Sequence, residues 1–217
     1  MTLDLRFYLV TSGSGRHTVE TAAAAARAGA GIIQVRCKEV TDRELYGLLV
    51  EVSEAVAAAN PATRVVVDDR PDMAWAARNA GAPVHGVHLG ADDLPPEHAR
   101  ALLGPEAIVG WTTGTLALVQ EAQRYVGIVD YLGAGPFRPT PTKDSGRPPL
   151  GVAGYPPLVG ASAIPIVAIG DVTPDDVEAL ATTGIAGVCM VRAVMEADDP
   201  ACVVRRSLDS WQRGAGA

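Results

Sequence analysis

Apolar, β-branched runs alternate along this chain with Ala-rich segments of helical period. Eight such runs stand out, at residues 6–11, 31–36, 64–69, 85–90, 107–112, 128–133, 164–170 and 186–191. They are short and rich in Val, Ile and Tyr, which suit a pleated, half-buried surface. Helical candidates fall at residues 17–29, 41–59, 71–80, 95–103, 115–125, 151–161, 173–182 and 199–212. Several carry start signals: Thr41 stands three residues before Glu44, Thr173 precedes Pro174, and Pro95-Pro96 opens another turn. Stop signals recur as well. The stretches "RAGAGI", "RNAGAP" and "ATTGIAG" each place a Gly where helices commonly end. Strands alternating with helices predict a parallel sheet, and eight pairs in 217 residues predict an α/β fold, a (β/α)8 TIM barrel in a single domain over residues 1–217. A doubly wound open sheet is the structural alternative.

Composition sharpens this. Hydrophobic residues make up 48% of the chain but aromatics only 5%, so the core is expected to be Ala, Val, Leu and Ile in short strands covered by close-packed helices. The run "TAAAAARAGA" reads as one such helix. A formal charge of -7 argues against a nucleic-acid partner, which calls for a basic face. No apolar segment approaches the roughly 20 residues of a membrane span, and the first residues lack the pattern of a signal peptide. Three scattered cysteines without a CxxC point to a reduced, cytoplasmic setting.

In a TIM barrel the active site lies at the C-terminal ends of the strands, so the polar residues that follow each apolar run carry the functional information. After the second run, Gln34, Arg36 and Lys38 recur at period 2 and project to one side. After the third come Asp68 and Asp69, and after the fourth Asp92 and Asp93. Each has an ordinary reading: the cations as solvated strand ends, the carboxylates as helix caps, and His85 and His88 as core imidazoles. Together they say more. Two carboxylate clusters at neighbouring strand ends suit Mg2+, which binds through one or two carboxylates plus phosphate oxygens. Arg36, Lys38 and Lys143 would meet the same phosphates, Arg as a planar fork and Lys as a point charge. After the sixth run, "GAGPFRPTPTKDSGRPPLG" is too rich in Pro and Gly for a regular element and reads as a rim loop. P-loop and Rossmann motifs are incomplete, so nucleotide signals are weak, and with no GxSxG elbow and no Cys placed as a nucleophile, covalent nucleophilic catalysis is disfavoured.

The segments "YLVT", "GIIQVRCK", "VVDDRPDMA", "GVHLGADDLP", "VGWTTGTLALVQEA", "DYLGAGPFRPTPTK", "PIVAIGDV" and "GVCMVRAVMEADDP" resemble the thiamine-phosphate synthase family in order and spacing, over nearly the whole chain. The resemblance implies a Mg2+-dependent transferase of thiamine biosynthesis, acting on two small molecules. It joins hydroxymethylpyrimidine pyrophosphate to thiazole phosphate and releases pyrophosphate. By motif position, Gln34, Arg36, Lys38 and Lys143 would contact the pyrimidine and its pyrophosphate, with Arg36, Lys38 and Lys143 as the catalytic cations. Asp69 and Asp93 would hold Mg2+. Thr140 and Thr142, with backbone near Gly170 and at Arg192-Ala193, would position the thiazole phosphate, and Thr112 stands where the family commonly has Ser.

Departures from the family pattern are specific. Asp68 replaces an Asn in the substrate-binding set, Ala91 a Gln, and Gly114 a frequent His. Asp171 replaces a Gly, where it would repel a phosphate, and Arg192 replaces a frequent Ser, where it would pair with that phosphate. A thiazole phosphate tautomerase and a non-catalytic paralogue that binds thiazole or thiamine phosphate stay open as alternatives. So does the oligomeric state, a homo-oligomer included.

Overall fold

The structure is a computed structural model that describes residues 3–139 and 146–216. Eight strands form it: β1 (Phe7–Val10), β2 (Ile32–Val35), β3 (Arg64–Asp68), β4 (Gly86–Leu89), β5 (Ile108–Thr113), β6 (Tyr131–Ala134), β7 (Ile166–Ala168) and β8 (Gly187–Met190). Each pairs in parallel with the next, and β8 pairs with β1 through Phe7 opposite Val188 and Leu9 opposite Met190. The sheet is thus a closed (β/α)8 barrel, not the open alternative.

Helices α1 (Arg16–Arg27), α2 (Asp42–Ala59), α3 (Pro71–Asn79), α4 (Pro96–Leu103), α5 (Leu116–Ala122), α6 (Tyr155–Gly160) and α7 (Val177–Ala181) each follow a strand. The short α8 (Arg192–Met195) and the longer α9 (Pro200–Ala215) follow β8. The start signals act as expected at α2, where the Glu44 amide donates to Thr41 Oγ1 at 3.3 Å and the Thr41 amide donates to Glu44 Oε2 at 2.8 Å. The stop signals act too. At the end of α1, Gly29 sits at φ +106° while its amide donates to the Ala26 carbonyl and that of Ala30 to the Ala25 carbonyl, both at 3.0 Å. Gly81 closes α3 in the same way. These pairs of bonds satisfy carbonyls that a helix end leaves open.

Period 2 along the strands sorts the core into two layers. Phe7, Leu9, Ile33, Val35, Val65 and Val67 face outward and pack on the helices, among them Ala22, Ala25 and Ala26 of α1, all fully buried. Tyr8, Val10, Ile32, Val66, Tyr131, Val167 and Cys189 face inward and fill the barrel. Tyr131 needs room that β5 supplies: a Cβ at Gly110 would lie 2.2 Å from Tyr131 Cζ and 2.6 Å from His88 Nδ1.

Some boundaries differ from expectation. The sixth strand begins at Tyr131 because the Ile128 and Val129 amides both donate to the Tyr125 carbonyl at 2.9 Å, making a turn of residues expected to be extended. The helices expected at 115–125, 151–161 and 173–182 are each split into an α-helix and a 3-10 turn. Helix α8 was not foreseen, since a single turn is too short to show a period.

The Gly110 socket generates a test. Gly110→Ala is expected to lower unfolding stability by about 1–3 kcal/mol through overpacking, read as a lower denaturation midpoint at unchanged slope.

Candidate functional site

A cavity opens at the C-terminal ends of the strands, with all eight contributing directly or through the residue that follows. Gln34 and Arg36 line it beside Asp68, as period 2 along β2 requires. Charges gather at this edge. Arg36 Nε lies 3.4 Å and Lys38 Nζ 3.0 Å from Asp68 Oδ2, and Lys38 Nζ also hydrogen-bonds Asp69 Oδ2. Asp93 accepts the Gly90 amide at 2.6 Å and comes within hydrogen-bonding reach of Asp69.

Burial pushes the Asp93 carboxyl up to about 6, helped by its hydrogen bond to Asp69 and by the charges of Asp69 and Asp68. Burial also raises Asp68, with the Asp69 charge next, against the pull of Lys38 and Arg36. Crowded carboxylates favour a proton or a cation, whichever arrives. None of these acids caps a helix. The segments before α3 and α4 are held at Arg70 and Pro95, neither with a side-chain cap, so the ordinary reading of the four aspartates does not hold. Asp69 adopts φ +60°, a left-handed conformation uncommon outside Gly and typical of residues placed for function.

The opposite edge is lined by Gly170, Asp171, Arg192 and Ala193. Asp171, at φ +59°, accepts from Arg192 Nη2 at 2.5 Å. The sequence alone placed Asp171 as repelling a phosphate and Arg192 as pairing with one; here the two side chains pair with each other. Gly170 sits at φ +106°, and a Cβ there would lie 2.7 Å from Pro136 Cα, so the rim loop rests directly on this backbone. That loop is a rim element as expected. Its two feet are joined by the Leu150 amide donating to the Pro136 carbonyl at 2.9 Å and the Gly151 amide to the Phe137 carbonyl at 3.1 Å. Arg138 anchors it sideways, donating to Asp176 Oδ2 at 2.8 Å and to the Asp171 carbonyl at 2.9 Å. Thr140, Thr142 and Lys143 lie outside the described residues.

Two lining residues were missed. Arg147, unassigned from sequence, lines the cavity and donates to the Thr113 carbonyl. The two histidines were read alike as core imidazoles, but His85 is half-buried and outside the core: it accepts the Val65 amide at 3.0 Å, and burial with the Arg64 charge lowers it to about 4. His88 lines the cavity, its Nε2 2.9 Å from Thr112 Oγ1. The odd spacing of 85 and 88 on one strand was the available signal, since it turns the two rings to opposite faces. At Gly114 (φ +151°) a Cβ would lie 2.0 Å from the Gly135 carbonyl oxygen, so this backbone leaves no place for the His frequent there in the family.

With the geometry in place, comparison with known proteins is specific. The profile of the thiamine monophosphate synthase family matches residues 7–194. The thiamine-phosphate synthase of Corynebacterium jeikeium is 59% identical over 198 residues, covering 91% of this chain and 90% of that protein. That of Corynebacterium efficiens is 55% identical over 215 residues, covering 98% of each. Among solved structures, thiamine phosphate pyrophosphorylase from Pyrococcus furiosus superposes with a TM-score of 0.84 at 29% identity, covering 98% of both chains. A 3-hexulose-6-phosphate synthase superposes at 0.69 with 16% identity over 95% of this chain and 99% of the other, a likeness of fold alone.

The acidic edge makes a stability prediction. A carboxyl raised in the folded state binds its proton more tightly there than in the unfolded chain, so metal-free protein gains stability as pH falls through about 6. Asp93→Asn keeps an acceptor for the Gly90 amide and removes the charge. Melting curves from pH 5 to 8 are expected to show a higher midpoint for the variant at pH 8 and a flatter pH profile.

Proposed function

The chain belongs to the thiamine monophosphate synthase family and is a transferase of thiamine biosynthesis, and from that premise we propose how its rim performs the transfer. Hydroxymethylpyrimidine pyrophosphate would bind along the Gln34, Arg36 and Lys38 side, next to Asp68. Gln34 would hold the ring; Arg36, Lys38 and Lys143 would hold the pyrophosphate, with Thr112 at the cavity wall. Thiazole phosphate would bind across the cavity, its phosphate met by Thr140, Thr142 and backbone at Gly170 and Arg192-Ala193. The observation that supports this division is the charge layout: cations interleaved with three carboxylates at one edge, and a single Asp171–Arg192 pair at the other.

Asp69 and Asp93 fit Mg2+. Two hard oxygen donors stand within reach of each other, and burial makes the Asp93 charge costly without a cation. Among the described residues no three His, Cys, Asp or Glu side chains are placed to hold one metal ion together, so further ligands would come from water and phosphate oxygens. Bound there, Mg2+ would neutralise charge on the departing pyrophosphate.

The chain's own contribution is positioning and electrostatics. Arg36 and Lys38 stabilise charge on the leaving oxygens, the pyrimidine methyl carbon becomes cationic as its C–O bond breaks, and the thiazole nitrogen adds its lone pair to that carbon. The nitrogen is already nucleophilic, so no general base is required. Asp68 restrains Arg36 and Lys38 before substrate arrives, a role open to a carboxylate and weaker for the Asn it replaces. The rim loop, tied down at both feet, would cover the reacting carbon from water. No helix among the described residues is long and apolar enough to cross a membrane. We place the enzyme in the cytoplasm, acting on small molecules without a nucleic-acid partner, as a monomer or a homo-oligomer.

Purified protein given both substrates and Mg2+ is expected to form thiamine phosphate, followed as its fluorescent oxidation product; a folded sample that makes none overturns the reading. Lys38→Ala and Asp93→Ala should each lower kcat/KM by roughly a hundredfold or more, as for loss of a transition-state charge partner. Because Asp93 must lose its proton to bind a cation, Mg2+ affinity measured by titration should fall about tenfold per pH unit below about 6. Asp171→Gly should lower KM for thiazole phosphate several-fold and leave KM for the pyrimidine substrate unchanged, roughly as expected for removing one like charge at partial exposure.

A further inference from the structure

Five polar side chains cross the barrel in one hydrogen-bonded line. Gln34 Nε2 donates to the Tyr8 hydroxyl at 2.6 Å, and the Tyr8 and Tyr131 hydroxyls are 2.7 Å apart. The Tyr131 hydroxyl is 3.1 Å from His88 Nδ1, and His88 Nε2 is 2.9 Å from Thr112 Oγ1. The line begins on β2 and ends on β5. Its two end residues line the cavity, whereas the tyrosines are sealed in the interior.

Each hydroxyl has one proton, so the first donor orders the rest. Gln34 gives an N–H to Tyr8, so the Tyr8 oxygen accepts and its own proton points to Tyr131. The Tyr131 proton then points to His88 Nδ1. That nitrogen must be bare, which leaves neutral His88 with its proton on Nε2, donating to Thr112. The Thr112 proton is turned away from His88. Burial holds both phenols protonated, so no link is lost by ionisation near neutral pH. A chain in which every bond points the same way is also cooperatively strengthened in a low-dielectric interior.

We propose that this line is a positioning device through which Tyr8 and Tyr131, without touching substrate, set what the cavity walls present: the Gln34 carbonyl oxygen as an acceptor and the Thr112 hydroxyl as a donor. A substrate matched to it carries an N–H donor on the Gln34 side and an acceptor on the Thr112 side. Resting on the assignment of this edge to the pyrimidine substrate, the inference makes the line the reason the site takes the exocyclic amine of an aminopyrimidine. An oxo group at that place would set lone pairs against lone pairs, and a fixed buried acceptor left unpaired discriminates strongly. Reversing the amide of Gln34 alone does not relieve the conflict, since every proton in the line would have to turn with it.

The test has two arms. In ligand-free protein labelled with 15N-histidine, with the His88 signal identified by its loss in His88→Gln, His88 is expected as the Nε2-protonated neutral tautomer at pH 7. An Nδ1-protonated ring or an imidazolium overturns the proposal. In the second arm, calorimetry compares the amino form of hydroxymethylpyrimidine pyrophosphate with its oxo analogue. Tyr8→Phe keeps the ring and frees the Gln34 amide, so the preference for the amino form should shrink about tenfold, the size expected for one oriented hydrogen bond. Tyr131→Phe should shift the His88 tautomer signal. Unchanged preference in a Tyr8→Phe protein that melts like the parent overturns the proposal as well. A parent protein that binds neither compound but shows the expected tautomer counts against the substrate assignment and leaves the proton order standing.

Discussion

β8 hydrogen-bonds back to β1, and the placement of every group at the rim follows from that closure. A closed sheet has no free edge, so each strand end is fixed by neighbours on both sides. Strands of three to six residues suffice because none stands alone. Residues on the β2, β3 and β4 ends, far apart in sequence, are brought within a few ångströms of one another by the parallel pairing of β2 with β3 and of β3 with β4. Asp68 meets Arg36 and Lys38, and Asp69 meets both Lys38 and Asp93, by this pairing and not by any local motif.

The closed interior also has to be filled. Much of it is filled by aliphatic side chains, and Tyr8, Tyr131, Gln34 and His88 cross it as a polar line that reaches the cavity wall at Gln34 and His88. Buried polar atoms are costly unless bonded, and no buried side-chain nitrogen or oxygen among the described residues lacks a partner. The floor of the site is therefore rigid in a directional sense, and the mobile chemistry is confined to charged groups above it. Those charges stand in tension. Crowded carboxylates and interleaved cations neutralise one another, and on the proposed reading phosphates and a cation would release both sets for use.

Much of this was legible in the sequence. The eight strands, their order and the caps at Thr41, Gly29 and Gly81 followed from periodicity and a few start and stop residues. The rim positions Gln34, Arg36 and Asp68 followed from the rule that polar residues after each strand face the mouth, and these three line the cavity; Asp69 and Asp93 stand outside its lining, tied to that edge through Lys38 and through each other. What stayed hidden was what depends on two distant segments at once. The Asp171–Arg192 pair joins the ends of β7 and β8, and neither residue alone announces the other. His88 is identical in type to His85, and only its face separates a cavity wall from a structural bond. The turn at Ile128 uses β-branched residues that propensity assigns to a strand, and tertiary context overrides it.

The socket at Gly110 carries a consequence for descent. Tyr131 occupies the volume that any side chain at 110 would need, and the Tyr131 hydroxyl holds His88 in turn. A larger residue at 110 is admissible only together with a smaller one at 131, and a smaller one at 131 leaves His88 and Tyr8 without their shared partner. Four positions on four strands, 8, 88, 110 and 131, are thus bound into a single heritable unit. Relatives that differ at one of them should differ at the others, and a lineage that alters the floor of this barrel must cross a step at which two substitutions arrive together or the interior is briefly worse than before.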